Sequence, residues 1–257
     1  VGQALPPHYA DQDQLIGAFR KLWAAQHHNL DRLERLHRAV QVSGRHLALP
    51  LESYERLQGF AEANRAFTEV AVGLGAEAIE RALAAAGLQP RDVDSIFFTT
   101  VTGIAAPSID ARLCNRLGLR SDVKRTPMFG LGCVAGAAGI ARASDALRGA
   151  PGEVAVLLSV ELCSLTLQRQ DLSIPNVIAS GLFGDGAAAV VLAGGERTAR
   201  GPRVVATRSV FYPDTEDVMG WSVSEKGFRI VLSPAVPAVA LEHVGPDVDA
   251  FLADHRM

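Results

Sequence analysis

Cys133 is the residue of this chain best placed to do covalent chemistry. It lies in a segment rich in glycine and alanine, residues 128–142, that follows a strand-like stretch, so we predict a helix over 133–147. A cysteine at a helix start meets unpaired backbone amides and the positive end of the helix dipole, which favour a thiolate. The segment therefore predicts a nucleophile, and the alternative is a small core cysteine.

The glycines around Cys133 allow two further predictions. Gly136 and Gly139 fall inside the predicted helix, where glycine costs roughly 1 kcal/mol relative to alanine, so we expect close backbone packing and a helix buried on all sides. The same glycines imitate a dinucleotide-binding loop, with Glu161 as the ribose-binding acid. That motif expects its acid nearer and opens the first βα unit of a domain, so thiol chemistry is favoured.

A second chemical pattern is a basic stripe. Arg32, Arg35 and Arg38 recur at i, i+3 and i+6 on a predicted helix over 29–40, which suits a diphosphate and a ribose phosphate. The alternative is a solvated helix face on which the arginines pair with acids such as Asp31 and Glu34.

Hydrophobic periodicity predicts the elements that must position these groups. Predicted helices span 11–25, 29–40, 53–87, 109–117, 133–147, 176–182 and 237–255, and predicted strands span 45–49, 96–101, 125–129, 154–160, 187–192 and 203–211. Strands that are apolar on both faces and alternate with helices indicate a layered α/β protein with a buried, largely parallel sheet. A glycine-rich loop near residue 200 divides a first domain, 1–200, from the start of a second, 201–257.

Composition excludes several classes of protein. The 257 residues are 48% hydrophobic and 21% charged with a net charge of −3, which describes a globular chain without the basic field of a general nucleic-acid binder. The three cysteines lack paired spacing, so we expect neither disulfides nor a metal site. Neither a signal peptide nor a membrane span is expected, and the cytoplasm is the predicted location.

Several segments resemble the chalcone-synthase-type family, the type III polyketide synthases. They are the Cys133 segment and residues 99–103, 117–125, 159–164, 182–189 and 212–214, in one collinear order. The resemblance implies a thiolase-like, layered αβαβα fold of two similar halves, the second largely missing here, and a homodimer. It also implies that coenzyme A thioesters are substrates and not resident cofactors.

The resemblance assigns roles to individual residues. Cys133 takes a starter acyl group from coenzyme A, malonyl-coenzyme A is decarboxylated to an enolate, and the enolate attacks the thioester in a Claisen condensation before cyclisation. Phe183 matches a gatekeeper phenylalanine, Ile230 replaces a second phenylalanine of plant members, and Val101 and Thr102 belong to the cavity-lining loop. Two of the family's three coenzyme A-binding basic positions match Arg32 and Arg35. The third falls at Ala39, so the neighbouring Arg38 is taken as the third candidate.

Small residues in the cavity loop, Ala105 and Ala106, resemble the bacterial branch that makes alkylpyrones or alkylresorcinols from fatty-acyl starters. The resemblance also implies a catalytic histidine and asparagine in the second half, and neither motif is present here. None of the seven histidines has the family's His-Pro-Gly-Gly context; they are His8, His27, His28, His37, His46, His243 and His255. We therefore expect a chain cut short that does not condense malonyl units alone. The alternatives are an inactive fragment that binds acyl-coenzyme A or a partner subunit, and another thiolase-like ketoacyl synthase.

Overall fold

A computed structural model of the chain describes residues 1–24, 29–198 and 201–256. Its centre is a five-stranded sheet with the order β1-β7-β6-β4-β5. The strands are β1 Gly2–Ala4, β4 Ser95–Thr100, β5 Lys124–Phe129, β6 Val154–Leu162 and β7 Asp185–Ala193. Strands β4, β5 and β6 are parallel, whereas β7 runs antiparallel to both β6 and β1. The prediction of a largely parallel sheet is therefore wrong at β7, which runs opposite to its two neighbours.

Two helices cover the two faces of this sheet, α3 Gly59–Ala86 and α5 Ala135–Gly149. Side chains alternate along the central strands, so Phe98 and Leu158 pack on α3 while Phe97 and Leu157 pack on α5. Because both faces are covered, β4 is buried along its whole length. This is why the central strands are apolar throughout instead of alternating with polar residues.

Most predicted elements are confirmed, with shifted ends. The helix α4 Ile109–Leu117 matches its predicted bounds, and α3 ends before Gly87, whose φ of +69° requires a residue that tolerates the left-handed region. The predicted helix over 53–87 begins only at Gly59, because Leu51–Glu55 form a separate 3₁₀ turn. The helix predicted over 133–147 begins with a 3₁₀ turn, Gly132–Val134, before α5.

The amino-terminal arm forms a second packed unit beside the sheet. It contains a two-stranded sheet, β2 His8–Asp11 with β3 Gly44–Leu47, and the helices α1 Gln12–Trp23 and α2 Leu30–Ala39. These pack with α6 Ile174–Leu182 around the fully buried Trp23 and Leu33. The end of the helix predicted over 11–25, and His27 and His28, lie outside the described residues.

The last part of the chain forms a hairpin and a helix. The hairpin is β8 Met219–Ser224 with β9 Gly227–Leu232, and the helix is α7 Val236–Asp254, close to its predicted bounds. The strand predicted over 203–211 is wrong: that stretch has neither helix nor strand, and Val205 and Phe211 are exposed. An apolar run becomes a strand only where another strand satisfies its backbone groups, and none lies beside this stretch within the described residues. The domain boundary near residue 200 stays a prediction.

Within the described residues, no helix is both long and apolar enough to cross a membrane.

Candidate active site

Cys133 lies on the tight turn between β5 and α5. Gly130 and Gly132 precede it with φ of +93° and +58°, and a Cβ at either position would meet no neighbour, so glycine is needed there for its backbone freedom. The turn sets Cys133 in the 3₁₀ turn that opens α5, and its thiol is exposed. The predicted position at a helix start is therefore confirmed.

The two glycines of α5 have different surroundings. A Cβ at Gly139 would lie 2.5 Å from Cδ1 of Leu157 on β6, which explains this glycine by close packing. A Cβ at Gly136 would meet nothing within 4 Å, and the neighbouring Val134 is 59% exposed. The expectations of close packing at Gly136 and of a helix buried on all sides are therefore wrong, because only the sheet-facing side of α5 is covered.

A cavity of about 440 Å³ lies between α1, β3, α6 and the β8–β9 hairpin. Phe183, Ile230 and Cys163 are among the residues that line it, together with the apolar side chains of Leu15, Phe19, Leu22, Leu47 and Leu51. Phe183 follows α6 directly and is half-buried. The structure thus brings two of the predicted cavity residues together around one apolar space.

An adjoining cavity of about 520 Å³ is lined by Thr102 and by Phe228 of β9. Val101 is buried next to Thr102 and lines neither cavity. Both residues are fixed by Glu161, whose carboxylate accepts hydrogen bonds from the Val101 amide at 3.0 Å and the Thr102 hydroxyl at 2.7 Å. This position gives Glu161 a role in ordering the loop, which is unlike that of a ribose-binding acid.

Cys133 lines neither cavity, but Cys163, which lines the apolar one, follows a neighbouring part of the same sheet. Burial raises the pKa of the Cys163 thiol well above its usual value, and the charges of Asp185 and Glu161 add to the rise. Cys133 follows β5 and Cys163 follows β6, and both strands run parallel to β4, which lies between them, so the two cysteines lie at the same edge of the sheet. The sequence analysis assigned Cys163 no site role, although this residue lies in the resembling segment 159–164.

A buried polar network that sequence reasoning missed supports the same cavity. The Asp185 carboxylate accepts hydrogen bonds from the Ala48 amide at 2.6 Å, the Ser164 amide at 2.8 Å and the Ser164 hydroxyl. Burial raises the pKa of Asp185 to about 6, against these hydrogen bonds. The Tyr54 hydroxyl lies 2.6 Å from Oγ of Ser164. The network joins β7, β3 and the turn that carries Cys163.

The three predicted basic residues of α2 are not equivalent. Arg38 is held by Glu34 and Asp13 at 2.9 Å each, as expected for a solvated ion-paired face. Arg32 and Arg35 are exposed, and their guanidinium groups form no ion pair with the part of the chain that the structure describes. Two cations without an ion pair among the described residues thus project from the helix that packs against α6.

The described residues contain no group of three or more histidine, cysteine or acidic side chains arranged to hold a metal ion.

The architecture is that of the type III polyketide synthases. The crystal structure of 1,3,6,8-tetrahydroxynaphthalene synthase from Streptomyces coelicolor A3(2) matches with a TM-score of 0.92 at 32% identity, over 99% of this chain and 72% of that one. The polyketide synthase PKS-I of the brown alga Ectocarpus siliculosus matches with a TM-score of 0.90 at 25% identity, over 100% of this chain and 72% of its own. The fold is therefore the thiolase-like αβαβα type, as predicted.

Sequence comparison gives the family directly. Residues 1–196 match the family described as chalcone and stilbene synthases, N-terminal domain. A 1,3,6,8-tetrahydroxynaphthalene synthase of Streptomyces peucetius subsp. caesius is 51% identical over 100% of this chain and 69% of its own length. A putative chalcone synthase of Bacillus subtilis is 31% identical over 100% of this chain and 73% of its own. The chain belongs to the chalcone and stilbene synthase family, whose type III polyketide synthases are acyltransferases that use coenzyme A thioesters without a resident cofactor.

Proposed function

We propose that Cys133 is the acyl-accepting nucleophile of a type III polyketide synthase reaction. Its sulfur attacks the thioester carbonyl of an acyl-coenzyme A, the carbon–sulfur bond to coenzyme A breaks, and coenzyme A leaves as a thiolate that takes up a proton. Malonyl-coenzyme A then loses carbon dioxide to give an enolate, whose carbon attacks the Cys133 thioester. The new carbon–carbon bond forms as the carbon–sulfur bond to Cys133 breaks, which releases Cys133 as a thiolate and leaves the extended chain on coenzyme A. Repeated condensation followed by cyclisation gives a pyrone, resorcinol or naphthalene product.

The observation that carries this proposal is the position of Cys133. It is exposed on a glycine turn at a helix start, at the same edge of the sheet as Cys163, which lines the apolar cavity. Backbone amides at a helix start have no partners within the helix, so they can donate hydrogen bonds to a group placed at such a turn. An acyl chain bound to Cys133 therefore has an apolar space close by, bordered by Phe183 and Ile230.

Binding of coenzyme A is proposed to use Arg32 and Arg35. Both guanidinium groups are exposed and free of ion pairs among the described residues, so they can meet a phosphate group without first leaving a carboxylate. Arg38, engaged by two carboxylates, is the less suitable of the three. The helix α2 packs on α6, which leads to Phe183, so the proposed phosphate site and the cavity lie on neighbouring helices.

Two product classes follow from different observations. The 51% identical relative is a tetrahydroxynaphthalene synthase, which supports a polyhydroxylated aromatic product built from malonyl units. The leucine-rich lining of the cavity around Phe19 supports the second candidate, a fatty-acyl starter giving an alkylpyrone or alkylresorcinol. Dimerisation of this chain and its location in the cytoplasm stay predictions.

The test is transfer of label to the protein. The purified 257-residue chain is incubated with radiolabelled malonyl-coenzyme A or with radiolabelled fatty-acyl-coenzyme A, and protein-bound label is located by peptide mapping. We expect label on Cys133, abolished in Cys133→Ser and retained in Cys163→Ser, because Cys163 is a neighbouring thiol that burial keeps protonated. The thioester that forms faster identifies the starter class.

The arginines provide a matched control for the binding step. Replacing Arg32 or Arg35 with alanine is expected to raise the acyl-coenzyme A concentration for half-maximal labelling by roughly tenfold, the loss of one charge-assisted hydrogen bond. Arg38→Ala is expected to change it by less than about twofold, because an exposed ion-paired group contributes little. Equal labelling of Cys133→Ser and the unaltered chain would refute the proposed nucleophile.

A further inference from the structure

The last turn of α6 ends immediately before Phe183, so whatever fixes this turn also fixes the start of the cavity wall. The final carbonyl groups of any helix lack intrahelical partners and must be satisfied in another way. Here the amide of Phe183 donates to the carbonyl of Ala179 at 3.1 Å. The carbonyl groups of Ser180 and Gly181 in this turn receive side-chain donors from the amino-terminal arm, and so does that of Val177, one turn earlier.

Those donors are Gln12 on α1, His37 on α2 and Arg45 on β3, called the capping residues below. Gln12 Nε2 donates to the carbonyl of Gly181 at 3.4 Å and to that of His37 at 2.7 Å. His37 Nε2 donates to the carbonyl of Val177 at 3.0 Å, and the Arg45 guanidinium donates to that of Ser180. Three separate elements of the arm therefore meet along the last two turns of α6.

The three capping residues are buried, so the loss of one of their hydrogen bonds is not compensated by water. Gln12, His37 and Arg45 are 8%, 0% and 7% exposed, and a buried polar group that loses its partner is costly. Packing reinforces the hydrogen bonds: a Cβ added at Gly181 would lie 2.8 Å from Cδ2 of His37, so the imidazole lies directly against the helix backbone. Phe19 packs against the same imidazole in a T-shaped arrangement, with ring centroids 5.1 Å apart.

We propose that Gln12, His37 and Arg45 are positioning residues that hold the end of α6 and thereby fix Phe183 at the wall of the apolar cavity. His37 lies on the same helix as Arg32 and Arg35, so the proposed coenzyme A site and Phe183 are connected through one buried imidazole. The consequence for acyl transfer rests on the proposed function, but the effect on Phe183 does not.

Alkylation of Cys163 by iodoacetamide provides a test that needs no coenzyme A chemistry, because Cys163 lines the same cavity as Phe183. The full 257-residue chain carries Cys114→Ser and Cys133→Ser, so that Cys163 is its one thiol. His37→Leu, which removes the donor, is compared with His37→Gln, which keeps an N–H group. Each is made with Phe183 present and with Phe183→Ala, as a double-mutant cycle.

We expect His37→Leu to speed alkylation by about tenfold when Phe183 is present, the equivalent of one lost hydrogen bond. With Phe183→Ala the same change is expected to alter the rate by less than about twofold, since the group through which His37 acts is gone. His37→Gln is expected to restore the original rate. Leu83→Ala, a core change on α3 that lowers stability without touching α6, controls for general loosening and should leave the rate unchanged.

The proposal is overturned if His37→Leu leaves the alkylation rate of Cys163 unchanged or lowers it. It is also overturned if His37→Leu changes this rate by the same factor with and without Phe183, or if Leu83→Ala speeds alkylation as much as His37→Leu does. If His37→Leu does not fold, Gln12→Leu carries the same expectations, because it removes the donor to Gly181. Labelling of Cys133 by acyl-coenzyme A is measured separately. Absence of that label refutes the proposed function, while the alkylation cycle still decides the role of the capping residues.

Discussion

Replacing each α5 glycine with alanine tests how the helix behind Cys133 is held. At Gly139 the new methyl group would lie 2.5 Å from Cδ1 and 2.9 Å from Cδ2 of Leu157, a side chain only 2% exposed. Alanine gains about 1 kcal/mol of helix propensity, while overpacking a core costs about 1–3 kcal/mol. Gly139→Ala is therefore expected to be neutral or to lower the free energy of unfolding by up to about 2 kcal/mol.

Gly136→Ala is the matched control on the same helix, because its methyl group would meet nothing within 4 Å. It is expected to raise the free energy of unfolding by a few tenths to about 1 kcal/mol. Urea titration followed by circular dichroism at 222 nm measures both variants, and equal m-values validate the comparison. A Gly139→Ala chain as stable as Gly136→Ala would refute the packing of α5 on β6 described above.

Three further changes test other contacts. Burial lowers the pKa of His37 from about 6.5 to about 4, so the folded chain holds His37 neutral and this stabilises the fold above pH 6.5. As the pH falls from 6.5 to 4, the unaltered chain should lose about 3 kcal/mol of unfolding free energy relative to His37→Gln. Urea titration at each pH measures this loss. Gly103→Ala places a methyl group 2.1 Å from the Phe67 ring and is expected to lower the melting temperature by several degrees, roughly the effect of 1–3 kcal/mol of overpacking. Glu161→Gln offers the Val101 amide a weaker acceptor and should speed amide hydrogen exchange at Val101 by about tenfold, with exchange at Leu158 as the internal reference.

The elements around Cys133 could be predicted because their signals are local. Glycine before a cysteine at a strand end, followed by a helix-compatible stretch, indicates a turn and a helix start whatever the rest of the chain does. The bounds of α4 and the end of α3 at Gly87 follow in the same way from spacing and a left-handed glycine. The resemblance to a family added the role of Cys133, which spacing alone left open.

The predictions that were wrong concern features that depend on residues far away in the chain. An apolar run has no direction, so the sequence pattern could not distinguish the antiparallel β7 from a parallel strand, nor predict that the stretch over 203–211 would find no strand beside it. Gly136 and Gly139 look alike in the sequence, yet only Gly139 faces Leu157. Periodicity reports which residues prefer burial and leaves open what covers them.

By itself the sequence determined the order of most helices and strands, the helix start at Cys133 and the basic face of α2, because each depends on neighbours within a few residues. Tertiary structure alone decided that Arg38 pairs with Asp13 while Arg32 and Arg35 find no acidic partner in the described part of the chain, and that Cys163 lines the cavity. It also brought Gln12, His37 and Arg45 to the end of α6 from three separate elements. These features join residues far apart in the chain, and only the packing of the arm against α6 and β7 brings them within hydrogen-bonding distance.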